Sequence, residues 1–126
     1  MIDFKKDLNS EQFRVVTEGD GPCLVLAGAG SGKTRTITYR VAYLLSQGIS
    51  PDEILLLTFT NKAAREMLNR ISKLVAKQQH NPISNLFGGT FHSVAARLLR
   101  RYAPLLGFQC NFSILDADDS KGMINL

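Results

Sequence analysis

The chain is predicted to be an α/β protein, a three-layer parallel sheet with flanking helices, and three observations predict it. Apolar runs of strand length at Cys23–Ala27, Ile54–Phe59 and Leu86–Phe91 alternate with segments whose apolar residues recur at helical spacing. Each connection between runs is long enough for a crossover that returns the next strand parallel to the last. The first run enters a glycine-rich segment, Ala27-Gly28-Ala29-Gly30-Ser31-Gly32-Lys33-Thr34, and a helical pattern follows at once.

Asn9 or Ser10 caps a short helix over Glu11–Glu18, which Gly19-Asp20-Gly21-Pro22 ends. Cys23–Ala27 is the first strand. A long helix runs from Thr34 to Gln47, with Ile37, Val41, Leu44 and Leu45 on one face, and Gly48 with Ser50-Pro51 stops it. The uninterrupted apolar run from Ile54 predicts a strand buried on both faces. Thr60 or Asn61 caps a second long helix that buries Ala64, Met67, Leu68, Ile71, Leu74 and Val75 and turns Lys62, Arg65, Arg70, Lys73 and Lys77 outward. Gln78–Ser84 reads as a polar loop, and Gly88-Gly89 marks a bend or close backbone approach within the third strand. A basic helix burying Val94, Leu98 and Leu99 follows, ending near Ala103-Pro104. Phe112–Leu115 is a short extended segment, and Asp116 or Asp118 caps a helix that has barely begun at Leu126. That ending predicts a piece of a longer protein, residues 1–126 being one incomplete domain.

The 126 residues are 44% hydrophobic and 21% charged, the balance of an ordinary globular chain. No apolar run is long enough to span a bilayer and the N-terminus is no signal peptide, which points to a cytoplasmic protein with no membrane partner. Cys23 and Cys110 have no metal-ligand spacing and read as two reduced thiols, Cys23 within a core strand. The net charge of +4 is unevenly placed: residues 33–101 hold eleven Lys or Arg against three acids, and the rest holds four against eight. Such a middle fits either a polyanion-binding face or a set of solvated helix faces.

Ala27–Thr34 has the form of a Walker A loop. Its three glycines allow successive amides to turn toward one anion, and the helix that follows adds its partial positive charge. Lys33 supplies a cation for the β and γ phosphates, and the Thr34 hydroxyl can ligate Mg²⁺. These residues point to a nucleoside triphosphate site. Two further segments, Thr58–Met67 and Gly89–Ser93, sit where the second and third strands end at their carboxyl ends, the place where open parallel sheets bind ligands.

Together with Leu8-Asn9-Ser10-Glu11-Gln12, these segments resemble the superfamily-one DNA helicases of the UvrD, Rep and PcrA type. Leu8–Gln12 resembles their Q motif, Ala27–Thr34 motif I, Thr58–Met67 motif Ia and Gly89–Ser93 motif Ib. The resemblance covers nearly the whole chain and implies a P-loop, RecA-like motor domain that is truncated here. It implies that Gln12 pairs with the adenine edge, that Arg35 stacks on the adenine face, and that ATP and Mg²⁺ are the cofactors. Phe59, Thr60 and Asn61, with Thr90, Phe91 and His92, then meet single-stranded DNA. From the residues alone, Gln12 and Arg35 are equally surface helix residues, Phe59 a core residue and His92 a local hydrogen-bonding residue. Arg97, Arg100 and Arg101 read either as solvated charge or as contacts to the DNA backbone.

The implied parent is an ATP-hydrolysing DNA helicase of DNA repair type, moving 3′ to 5′ along single-stranded DNA toward duplex junctions. Its remaining domains would lie beyond Leu126. No Asp-Glu pair follows an apolar strand here, since Asp52-Glu53 precedes the second one. The expected turnover by the chain alone is therefore negligible. Two other readings stay open: another P-loop enzyme such as a small-molecule kinase, and a nucleic-acid-binding module that does not cycle ATP.

Overall fold

The computed structural model describes residues 2–76 and 85–124, in two units, residues 1–91 and 92–126. The loop expected over Gln78–Ser84, with Lys77 before it, lies outside the described residues.

The first unit begins with a turn of helix that sequence periodicity does not reveal, α1 (Phe4–Asp7), capped by Asp3. Leu8 leaves the helix in an extended conformation and α2 (Ser10–Glu18) follows. Asn9 and Gln12 form its capping box: Asn9 Oδ1 accepts from Gln12 N at 2.8 Å, and Gln12 Oε1 accepts from Asn9 N at 3.2 Å. The long helix α3 (Lys33–Ser46) starts one residue earlier than periodicity predicts, because Gly32 at φ 86° turns the loop into it. Its Tyr39 joins Leu8 and Val16 in a small cluster under α2.

The sheet has two strands among the described residues, β1 (Leu55–Thr58) and β2 (Phe87–Thr90), paired in parallel with Leu56 opposite Gly88 and Thr58 opposite Thr90. Helix α4 (Asn61–Val75) connects toward β2 and packs on both strands. Thr60 caps it, its Oγ1 accepting from Ala63 N at 3.1 Å. At Gly88 a Cβ would make ordinary contacts, 3.4 Å from the Leu56 carbonyl oxygen and 3.5 Å from Leu68 Cδ2. The main core joins Val41, Ala42 and Leu45 of α3 to Leu56 and to Met67, Ile71 and Val75 of α4.

Three expectations are corrected. Three layers around a parallel sheet are not what the described residues form, because only two of the three expected strands pair. Cys23–Ala27 is not a strand: Leu24 and Leu26 are 85% and 87% exposed, and Cys23 is an exposed free thiol rather than a core residue. The cause is a missing ladder. A strand satisfies its amides only through neighbours, and a groove lined by Val25, Ile37, Val41, Ile54 and Leu55 lies between this run and β1. For the same reason β1 is buried on one face only, with Leu56 inside and Leu55 half exposed.

The second unit holds most of α5 (Phe91–Tyr102), a 3-10 turn over Ala103–Leu106, and α6 (Ala117–Ile124). Val94 is buried as expected, whereas Leu98 and Leu99 are exposed. Phe112–Leu115 forms no ladder, and Asp116 caps α6 by accepting from the amides of Asp118 and Asp119.

Candidate nucleotide site and strand-end surface

The glycine-rich loop is built from conformations that only its residue types hold easily. Gly30 (φ 77°) and Gly32 (φ 86°) are both left-handed, where a Cβ would strain the backbone. Ser31 locks the turn between them, its hydroxyl donating to the Gly28 carbonyl at 2.6 Å and its amide to the same oxygen at 3.3 Å. Gly28, Ala29 and Gly30 are exposed and Ala27 half-buried, so the loop is open to a ligand.

No side chain caps α3, and its intrahelical ladder begins with Thr36 N donating to Gly32 O at 3.0 Å. The amides of Lys33, Thr34 and Arg35 therefore have no acceptor within the helix, at the positive end of a 14-residue dipole. Lys33 folds back over the loop, its Nζ donating to the carbonyls of Ala27 at 2.9 Å and Gly28 at 2.8 Å. An ammonium held by two neutral carbonyls is placed to exchange them for phosphate oxygens, which bind it more strongly. Thr34 is half-buried and follows Lys33 on the first turn of α3.

Gln12 is drawn to the same place from α2. Its Nε2 donates to the Ser31 carbonyl at 3.2 Å and sits where a Cβ on Gly32 would intrude, 2.6 Å away. The amide still has one N–H and one acceptor lone pair unused. Arg35 points the other way along α3: its Nη2 donates to the Asp7 carbonyl at 2.6 Å, and its guanidinium lies over the Tyr39 ring at 5.4 Å. Tyr39 also donates to Asp7 Oδ2 at 3.2 Å. Burial, and then the Asp7 carboxylate, hold the Tyr39 phenol above its ordinary pKa, with Arg35 opposing. The structure thus brings Gln12, Lys33 and Thr34 to one loop and ties Arg35 into the neighbouring helix.

The strand-end residues form a second surface. Phe59, at the carboxyl end of β1, is 87% exposed, so it is not a core residue. Its ring lies 5.4 Å from that of Phe91, tilted by 40°, at the carboxyl end of β2. Thr60 and Asn61 are exposed beside them at the start of α4, while Thr90 is buried in the sheet and His92 is exposed at the head of the second unit. Buried in the ladder, Thr90 has no face to offer a ligand, which departs from its expected role.

Sequence reasoning missed Arg40. Nothing in its spacing marks it, yet it is largely buried and joins α3 to the far end of α2 through three hydrogen bonds. Asp7 was equally unmarked, because its role depends on a backbone carbonyl 28 residues from Arg35.

Comparison with known proteins agrees with this arrangement. Residues 8–126 match the family described as UvrD/REP helicase N-terminal domain. The chain is 48% identical over 118 residues to the ATP-dependent DNA helicase PcrA of Staphylococcus aureus (strain Mu50 / ATCC 700699), covering 93% of this chain and 16% of that protein. It is 48% identical over 120 residues to the protein of the same name in Staphylococcus epidermidis (strain ATCC 12228 / FDA PCI 1200), covering 94% and 16%. The chain thus spans about a sixth of the length of these relatives, and the match starts at Leu8, the first residue of the Gln12 segment. On this evidence the chain belongs to the UvrD/REP helicase N-terminal domain family.

Proposed function

We propose that this chain is the ATP-binding part of an ATP-dependent DNA helicase that moves 3′ to 5′ on single-stranded DNA, within a RecA-like motor domain of which residues 1–126 are one portion. The observation that carries it is the uncapped N-terminus of α3, where Lys33 and the glycine loop converge with Gln12. The loop from Ala27 through Gly28, Ala29, Gly30, Ser31 and Gly32 wraps the phosphates with backbone amides. Lys33 neutralises their charge, and Gln12 uses its spare donor and acceptor on the adenine edge, the pairing an amide makes with N6 and N7. Arg35 offers the face of its guanidinium to the base.

Mg²⁺ fits the residues present. Among the described residues no three carboxylate, His or Cys side chains cluster into a metal cage. That suits an ion held by one hydroxyl together with phosphate oxygens and water. Thr34 would hold it, and its chemistry there would be to neutralise charge on the transferring phosphoryl group. Phe59 and Phe91 provide rings for bases to stack on, while Thr60, Asn61 and the α4 N-terminus meet phosphate oxygens. His92 would contact the single strand as well. Duplex junctions and the other domains of the helicase are the remaining partners.

Of the strand ends described, β1 leads into Phe59-Thr60-Asn61 and β2 into Phe91, and neither carries an acid able to activate water. ATP should therefore bind with negligible turnover. Titration of a fluorescent ATP analogue tests this, with and without a single-stranded oligonucleotide and beside Lys33→Ala. Binding that needs Lys33, and oligonucleotide affinity that falls steeply with salt, are expected. Nucleotide binding indifferent to Lys33, or robust DNA-stimulated hydrolysis, would overturn the reading. A kinase would show nucleotide binding without single-strand affinity.

A further inference from the structure

The hydrogen bonds of Arg40 point to a role that no motif assigns. Its Nη1 donates to the Val16 carbonyl at 2.7 Å, and its Nη2 donates to the Gly19 carbonyl at 2.8 Å and to Asp20 Oδ1 at 3.1 Å. Two of these acceptors are backbone carbonyls at the C-terminal end of α2, where helix geometry leaves carbonyls without a partner. A Cβ on Gly19 would stand 2.7 Å from the Val15 carbonyl oxygen, so a side chain there would displace the backbone that offers Arg40 its acceptors. The guanidinium also lies 5.8 Å from the Tyr43 ring.

Helix α2 is thus held to α3 at its C-terminal end, where Arg40 grips Val16, Gly19 and Asp20, while Arg35 and Tyr39 grip Asp7, the last residue of α1. Val16, whose carbonyl takes one of these bonds, is fully buried against Leu8 and Tyr39. Gln12 stands on the same nine-residue helix, roughly 13 Å long. Loss of the Arg40 bonds frees the C-terminal end of α2, and a shift of so short a helix is carried to the Gln12 bond with Ser31. Lys33 and Arg40 meanwhile share one rigid helix, so α3 fixes the phosphate grip and the anchor of the base-reading arm on a single rod.

We infer that Arg40 is a positioning residue that sets the reach of Gln12 over the loop and so governs discrimination between adenine and guanine nucleotides. The inference rests on the ATP-site reading above.

Arg40→Met keeps the aliphatic stem and removes all three bonds. Competition between fluorescent ATP and GTP analogues should show the preference for ATP reduced about tenfold, the size of one lost hydrogen bond to a charged or base-reading group, with binding of the triphosphate itself retained. The double variant Gln12→Ala with Arg40→Met should discriminate no worse than Gln12→Ala alone, because Arg40 acts only through Gln12. Without any nucleotide, exchange of the Gln12 amide should rise about tenfold in Arg40→Met. Arg40→Lys, which retains part of the contact, should recover part of each effect and carries the same comparisons if the Met variant does not fold. Unchanged discrimination, losses that add in the double variant, or unchanged exchange at Gln12 would each overturn the inference. Nucleotide binding that ignores Lys33→Ala would instead sink the site reading, and amide exchange still decides whether Arg40 holds α2.

Discussion

In the proposed nucleotide site the decisive residue is Lys33. Its ammonium already donates to the carbonyls of Ala27 and Gly28, so phosphate would replace two ordered contacts. Lys33→Ala should weaken an ATP analogue by about 2 kcal/mol, roughly thirtyfold, the cost of one charge-assisted bond; equilibrium titration measures it. Phe59 works at the opposite extreme of burial. At 87% exposed it contributes little to folding, so Phe59→Ala should leave the melting temperature in place. Single-strand affinity should fall by about 1–3 kcal/mol, the value of a stacked base. Tyr39 gives a residue-level pH dependence. Its folded pKa is raised above the unfolded 10.0, so its share of stability is complete below pH 10 and is lost as pH rises through the folded value. Denaturant melts of Tyr39→Phe should lack that alkaline loss relative to the parent chain.

At the scale of the element, α4 is the best-specified piece. Thr60 caps its start, and Ala64, Met67, Ile71 and Val75 bury one continuous stripe. Thr60→Ala should cost about 1 kcal/mol through the lost cap, whereas Ile71→Ala, at a fully buried position, should cost about 2–5 kcal/mol. Chemical denaturation separates the two. Because Thr60 also sits in the strand-end surface, its effect on DNA affinity should exceed its effect on stability, and Ile71 should show the reverse. Helix α3 is a different kind of element. It carries Lys33 at its first turn and the Arg40 anchor in its second half, so one rigid helix would hold the two ends of the proposed nucleotide site in register.

Across the whole chain, charge and open apolar surface lie on different segments. If the basic middle meets a polyanion as proposed, oligonucleotide affinity should fall with salt in proportion to the phosphates contacted. In Cys23–Ala27, Val25 lines the groove and Leu24 and Leu26 are exposed, while the paired strands pack against α4. The loop Ala27–Thr34, the capping residues Asn9 and Thr60, and the helix stripes were legible in the sequence because each depends on neighbours within a turn or two. The capping box of Asn9 with Gln12 is of that kind, as is the stripe from Ala64 to Val75. That Cys23–Ala27 forms no strand was not legible, because apolar character alone cannot report whether a hydrogen-bonding neighbour exists. Leu98 and Leu99 misled for the same reason: a stripe specifies a face, not what covers it.

The sequence by itself determined the glycine-rich loop with its Lys33 and Thr34, and the family to which the chain belongs, since these rest on residue type at short fixed spacing. Only the tertiary structure decided that Gln12 reaches Ser31, that Phe59 and Phe91 pair in the open, that Arg40 fastens α2 to α3, and that Asp7 fastens α1 to it. Those contacts join residues 19 to 32 positions apart, through backbone carbonyls as often as side chains. A carbonyl is present at every residue, so no local pattern distinguishes the one that an arginine will find.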